Sequence, residues 1–255
     1  MESDETFRYR RQISFDPIGL HGQAKLRKAA VFVCGCGALG CAVAEMLCRA
    51  GIGRIRLVDD DYVQLDNLHR QILFTENDAI KKKSKVDAAA DKLSLINRDA
   101  KVEPICERLT PQNADRLFDR FDLLIDATDN FRVRFMLNSL AVKKDIPFVS
   151  AGVLGASGQV FAVLPGITPC LACMLPSPNG SEEPKSRLDN SGIDESGILS
   201  PAVLFAASIQ VAESMKILAG NYDVVRSSIL SFDLWTNRIT MIAFPRDENC
   251  MICAH

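Results

Sequence analysis

The chain has 255 residues, 47% of them hydrophobic and 24% charged, ample for the buried core of one enzyme-sized domain. A net charge of −2 gives none of the basic surplus on which nucleic-acid affinity rests, so no nucleic-acid partner is expected. Neither the charged opening at 1–11 nor any later run reads as long and apolar enough for a signal or membrane segment, so a cytoplasmic protein is expected.

The first strong element is a strand over 29–34 that runs into Gly35-Cys36-Gly37-Ala38-Leu39-Gly40 and a small-residue helix over 39–50, closed by Gly51. Glycines at 35, 37 and 40 between an apolar strand and a helix predict a nucleotide-binding turn, in which backbone N–H groups and the positive helix end face phosphate. A second strand over 54–58 ends in Asp59-Asp60-Asp61, about 20 residues beyond the last glycine, where such folds place a ribose-binding carboxylate. Asp59 and Asp61 are the candidates, and to this point NAD would suit the pattern. Asn67, Arg70 and Gln71, followed by Lys85, argue against hydride chemistry. Arginine supplies a planar fork of donors and lysine a point charge, the groups that hold a triphosphate and let pyrophosphate leave. Lys81-Lys82-Lys83 reads instead as a solvated charged face.

Further along, helices over 85–95, 114–118 and 132–143 alternate with strands over 101–106, 122–126 and 147–150. This alternation predicts a Rossmann-like, mostly parallel α/β sheet with helices on both faces. The fourth strand ends in Asp126-Ala127-Thr128-Asp129-Asn130, at the edge where doubly wound sheets bind ligands. Asp129 or Asn130 could equally cap the helix that follows. After residue 150 come a strand over 159–164, a Pro-, Ser-, Gly- and Asp-rich flexible connection over 176–200, and a long apolar helix opened by Pro201 and stopped by Gly220. Two C-terminal strands, 227–232 and 238–244, complete the sheet within a single domain. Of the nine cysteines, Cys170, Cys173, Cys250 and Cys253 form two CxxC pairs with zinc-knuckle spacing. The distance between the pairs leaves a metal site and two unrelated thiol pairs equally open. Cys34, Cys41 and Cys48 read as small hydrophobes, and so does Cys36, although it lies inside the phosphate turn.

Taken in order, Arg8-Tyr9-Arg10-Arg11-Gln12, the glycine turn, Asn67-Leu68-His69-Arg70-Gln71, Ser84-Lys85-Val86, Ile96-Asn97, the Asp126-to-Asn130 run and the two CxxC pairs resemble the E1-like adenylyltransferases of the ThiF/MoeB/HesA group. Members of that group activate ubiquitin-like sulfur-carrier proteins, and the resemblance covers nearly the whole chain. It implies ATP and Mg2+ as cofactors, with Asp129 as the magnesium ligand, Asn67, Arg70 and Lys85 on the triphosphate, and Gln71 and Asn130 among the nucleotide-binding residues. It implies a structural Zn2+ held by the four paired cysteines. Arg11 would reach the ATP of the other subunit of a homodimer. The implied reaction is attack of a carrier's C-terminal Gly-Gly carboxylate on the α-phosphate of ATP, giving an acyl adenylate and pyrophosphate.

One departure limits the carry-over: many relatives have a cysteine in the flexible connection, and here none lies between 175 and 249, with Ile193 or a neighbour at the corresponding place. A separate sulfur donor is therefore expected, and no fused sulfurtransferase after His255. The pathway, thiamin, molybdopterin or another, stays open. So do adenylation of a small carboxylate or a tRNA base, and a non-catalytic carrier-binding module.

Overall fold

The computed structural model describes residues 7–174 and 197–254. Its centre is β1 (Ala30–Cys34), which sends Val31 and Val33 into one buried layer and Phe32 and Cys34 into the other. A strand covered on both faces must be apolar at every position, and this one is. β1 lies between β2 (Arg54–Val58) and β4 (Leu123–Asp126), with β3 (Lys101–Ile105) outside β2 and β5 (Phe148–Leu154) outside β4, all parallel. Strand order therefore reverses at β1, and the crevice beyond the carboxyl ends of β1 and β4 is the switch point where such sheets bind ligands.

β6 (Ser157–Val163), β7 (Ser228–Asp233) and β8 (Arg238–Ala243) continue the sheet antiparallel, as expected from the C-terminal pattern. β5 runs four residues past its anticipated end, and β6 starts two residues before its anticipated beginning. Between them only Gly155 and Ala156 turn the chain, Gly155 with the positive φ (+60°) that a two-residue hairpin demands. Small and polar residues hid this hairpin in the sequence. Gly158 is small for a reason, because a Cβ there would meet the Phe232 ring at 2.5 Å.

One face of the sheet is covered by the helices Ala38–Ala50, Lys85–Ile96 and Ser200–Ala219; the other by Pro111–Leu117, Phe131–Lys144 and Leu171–Met174. Helices Arg10–Ile13, Gly19–Lys28 and Glu76–Ile80 were not anticipated, being too short or too polar to show a periodic apolar stripe. Ser200–Ala219 is long and apolar enough to cross a membrane, which corrects the expectation that no run would be. Its apolarity has another use: 61% of its 18-residue apolar stretch is buried within the protein, and the helix packs against helix Ala38–Ala50 and strands β5 and β6. The anticipated flexible connection lies almost wholly outside the described residues.

Candidate active site and metal centre

The glycine turn is built by close approach. Gly35 has φ +94°, and a Cβ there would lie 2.6 Å from the carbonyl oxygen of Ala127; a Cβ on Gly40 would lie 2.0 Å from the carbonyl of Gly35. The chain can pass between β1 and the loop after β4 only if both positions lack side chains. Gly37 differs, since a Cβ there would meet nothing nearer than Gln71 Nε2 at 4.0 Å. It is the N-cap of helix Ala38–Ala50 and offers no side-chain cap, so the first N–H groups of that helix, beginning at Ala38, are presented to the crevice.

Asp59 braces this turn from beneath, its two carboxylate oxygens accepting from the N–H of Cys36 (2.6 Å) and of Asp61 (2.8 Å). Burial pushes its carboxyl above the usual range, against the pull of those two bonds and of Lys85. Lys85 follows Ser84, whose backbone pairs with Tyr62 and whose hydroxyl caps helix Lys85–Ile96. The lysine is buried and donates from Nζ to Asp61 at 2.8 Å. Burial would lower its pKa, but the bond to Asp61 and the charges of Asp59 and Asp61 prevail and hold it above its ordinary value. The ammonium is thus kept charged beside the turn. Asp60 is drawn aside by Arg108 at 2.9 Å.

The 67–71 segment forms the next wall. Gln71 donates to Asn67 Oδ1 (2.7 Å), Asn67 donates to Asp66 (2.7 Å), and the buried Oε1 of Gln71 has no partner among the described residues. Arg70 leans on the carbonyl of Asp66 and on the His69 ring, and no carboxylate pairs with it among the described residues. Across the crevice the loop after β4 packs directly on Gly35. Asn130 caps helix Phe131–Lys144 by accepting from the N–H groups of Arg132 (2.9 Å) and Val133 (3.2 Å), so of the two capping candidates it is the asparagine that caps. Asp129 is exposed and its carboxylate has no partner among the described residues.

Beneath that loop lies a network that the sequence reading missed. Asp126, fully buried, accepts from Arg134 Nε (2.6 Å), Ser150 Oγ (2.7 Å), and the N–H and hydroxyl of Thr128 (3.0 and 2.6 Å). Arg134 also donates to the carbonyls of Thr128 and Ala151, and Gln210 donates to the carbonyl of Asp126. The available signal was an arginine one helical turn beyond the Asp-Asn pair.

Cys36 is fully buried, and the Cys41 thiol together with burial holds its own thiol well above the usual range, in keeping with a packing role. Arg11 does not join the crevice. Gln12 donates to the carbonyl of Ala50, at the far end of helix Ala38–Ala50, whose thirteen residues span about 20 Å. Arg11 is exposed there and lies beyond reach of its own glycine turn.

The two CxxC pairs do meet. Cys170 precedes a short helix and Cys173 lies within it, Cys250 and Cys253 belong to the C-terminal turn, and all four sulfurs lie within 4.8 Å of one another. Separations of 3.4 Å (Cys173 to Cys253), 3.6 Å (Cys170 to Cys250) and 3.9 Å (Cys170 to Cys173) are too long for disulfides. A tetrahedron with metal–sulfur bonds of about 2.3 Å has edges of about 3.8 Å, so the cluster fits a zinc ion with no open position.

A glycine turn at a switch point, ringed by a charged lysine, an arginine and an exposed carboxylate, defines a nucleotide-binding α/β protein suited to a polyphosphate. Residues 9–252 match the ThiF family, and the chain belongs to this family of E1-like adenylyltransferases. It is 42% identical over 250 residues to the sulfur carrier protein ThiS adenylyltransferase of Bacillus subtilis, covering 97% of this chain and 71% of that one. To the adenylyltransferase and sulfurtransferase MOCS3 of Anopheles gambiae it is 36% identical over the whole chain, spanning 56% of that relative's length. To the vegetative HesA protein of Trichormus variabilis it is 34% identical, over 99% of this chain and 91% of the other. Among solved structures, E. coli MccB with MccA-N7isoASN superposes with a TM-score of 0.85 at 25% identity, over all of this chain and 76% of that one. MccB with ATP superposes with a TM-score of 0.83, also at 25% identity, over 97% of this chain and 75% of that one.

Proposed function

We propose that this chain adenylates the C-terminal glycine carboxylate of a small ubiquitin-like sulfur-carrier protein. The observation that carries the reading is the convergence of Lys85, the 67–71 segment and the free carboxylate of Asp129 on one glycine turn, in a chain 42% identical to a ThiS adenylyltransferase. The turn receives phosphate on backbone N–H groups from Gly37 onward, while Asp61 and Asp59 lie on the side of the ribose. Lys85 and Arg70 neutralise the triphosphate, and Asn67 and Gln71 order the wall that carries Arg70. Gln71 Oε1, buried and without a partner among the described residues, remains available to a donor. Asp129 is the hard oxygen ligand for magnesium, which when bound offsets charge on the triphosphate. The carrier carboxylate attacks the α-phosphorus and pyrophosphate leaves; positioning and charge neutralisation supply the rate, with no side-chain nucleophile.

Arg11, too distant to serve its own crevice, completes the site of a second copy in a homodimer. Zinc in the cysteine cluster fastens the C-terminal tail to the chain near residue 170. The acyl adenylate passes to a separate sulfur donor in the cytoplasm. Exchange of labelled pyrophosphate into ATP, with a panel of Gly-Gly-ended carriers, tests the reading. Exchange that depends on one carrier supports it and names the pathway; ATP binding without exchange moves the reaction to another acceptor.

A further inference from the structure

We infer that Asn138 is a positioning residue of the cysteine cluster: its carbonyl holds the backbone of the first knuckle, and its amide N–H donates to the thiolate of Cys170 when a metal is held there. This rests on the reading of the four cysteines as a metal site. Asn138 sits on helix Phe131–Lys144 with no exposed surface, and its Oδ1 accepts from the N–H of Leu171 at 2.9 Å. That N–H can only donate, so the amide is fixed with oxygen toward Leu171 and nitrogen away from it. The nitrogen is buried and has no partner among the described residues. The group beside it is Cys170, the residue before Leu171 and itself fully buried. The Asn138 side chain lies within interaction range of the Cys170 sulfur.

A neutral thiol is a weak acceptor and a metal-bound thiolate a strong one. The orphaned donor is therefore matched to the metal-loaded form of its neighbour, and hydrogen bonds of this kind orient ligands and tune metal affinity. Asn138 lies one helical turn after Arg134, on the same helix face. That face thus ties the metal knuckle to the loop that carries Asp129.

The test uses the full metal-loaded chain and two substitutions. Asn138→Asp keeps an acceptor for Leu171 and removes the donor, whereas Asn138→Leu removes both. Zinc affinity is read by competition with a chromophoric chelator at pH 8, and the thiolate-to-metal charge-transfer band is read after cobalt substitution. Both variants should lose about 10–100-fold in zinc affinity. The Asp variant should also shift the charge-transfer band. A purely structural role predicts wild-type affinity and an unshifted band for the Asp variant, and that result would overturn the inference. Wild-type protein lacking zinc would overturn the metal reading itself, and this role with it. If neither variant folds, wild-type protein loaded with cadmium-113 decides: coupling between the metal and an Nδ2 proton of Asn138 supports the bond, and its absence refutes it.

Discussion

The crevice around Gly35 and the cluster around Cys170 are both made of groups the chain could not otherwise bring together, yet they are finished in opposite ways. At the crevice the support is hidden and the working groups are open. Asp59 and the Asp126–Arg134 pair hold backbone from below, while among the described residues Asp129 is left without a partner and Arg70 without a carboxylate. At the cluster the working groups are turned inward, with Cys170, Cys250 and Cys253 no more than 4% exposed and every sulfur facing another. A site that takes a ligand and gives it back must leave valences free, and one that holds a metal for good should have none.

The cluster is where the comparison breaks most visibly. Structural zinc sites in small peptides carry on the order of 10 kcal/mol of apparent binding free energy, all of it coupled to folding. Cys173→Ser should bring zinc content, measured by elemental analysis, to near zero, with a marked fall in Tm and a protease-sensitive C-terminal segment. Folded wild-type protein without zinc would remove the contrast between the regions.

The crevice should respond in activity and not in stability. Arg70→Ala and Asp129→Ala are each expected to lower pyrophosphate exchange by about 10³-fold or more, roughly 4 kcal/mol of barrier, with Tm almost unchanged because neither side chain is holding the fold together. Exchange at the wild-type rate in either folded variant would refute the site assignment.

Arg134 sharpens the line between support and working group. Arg134→Ala strands the fully buried Asp126 carboxylate, and breaking a buried pair in this way costs about 3–5 kcal/mol. Denaturant unfolding should record that loss in the absence of any ligand. A neutral result would mean that Ser150 and Thr128 alone satisfy Asp126.

How much of this was readable from the sequence follows from where each signal lies. The glycine turn, the alternation of strands and helices, and the Asp126-to-Asn130 run are contiguous patterns, and the structure places them as expected. The meeting of the two CxxC pairs, far apart in the chain, was legible only through resemblance. The Asp126 network was not legible, because Arg134 and Gln210 are isolated polar residues on helices and nothing in their spacing shows that both are buried. Arg11 shows the opposite limit. Its motif was plain, but its distance from the turn depends on where Gln12 docks, a contact between side chain and backbone with no periodic trace.

The smallest effect comes from a charged cluster that serves neither site. Glu103 on β3 accepts from Arg54 and Arg56 on β2 and from Lys101, and the two guanidinium groups lie over the Phe121 ring at 4.4 and 5.0 Å. Burial would raise the Glu103 carboxyl, but these partners outweigh it and bring its pKa down to about 2, from an ordinary value of 4.5. A depressed folded-state pKa means stability that is fully present above 4.5 and is lost as pH falls toward 2. Solvent reaches the cluster, so the contribution is about 1–2 kcal/mol and not the full value of the shift. Glu103→Gln should therefore be less stable than wild type at pH 7, and the two unfolding free energies should converge as pH is lowered to about 2. Pyrophosphate exchange at pH 7 should not change, because β2 delivers Asp59 to the turn through backbone pairing with β1 and β3 that does not involve this carboxylate. A drop in exchange without a drop in stability would place Glu103 with the working groups of the crevice and dissolve the distinction between bracing and binding along β2.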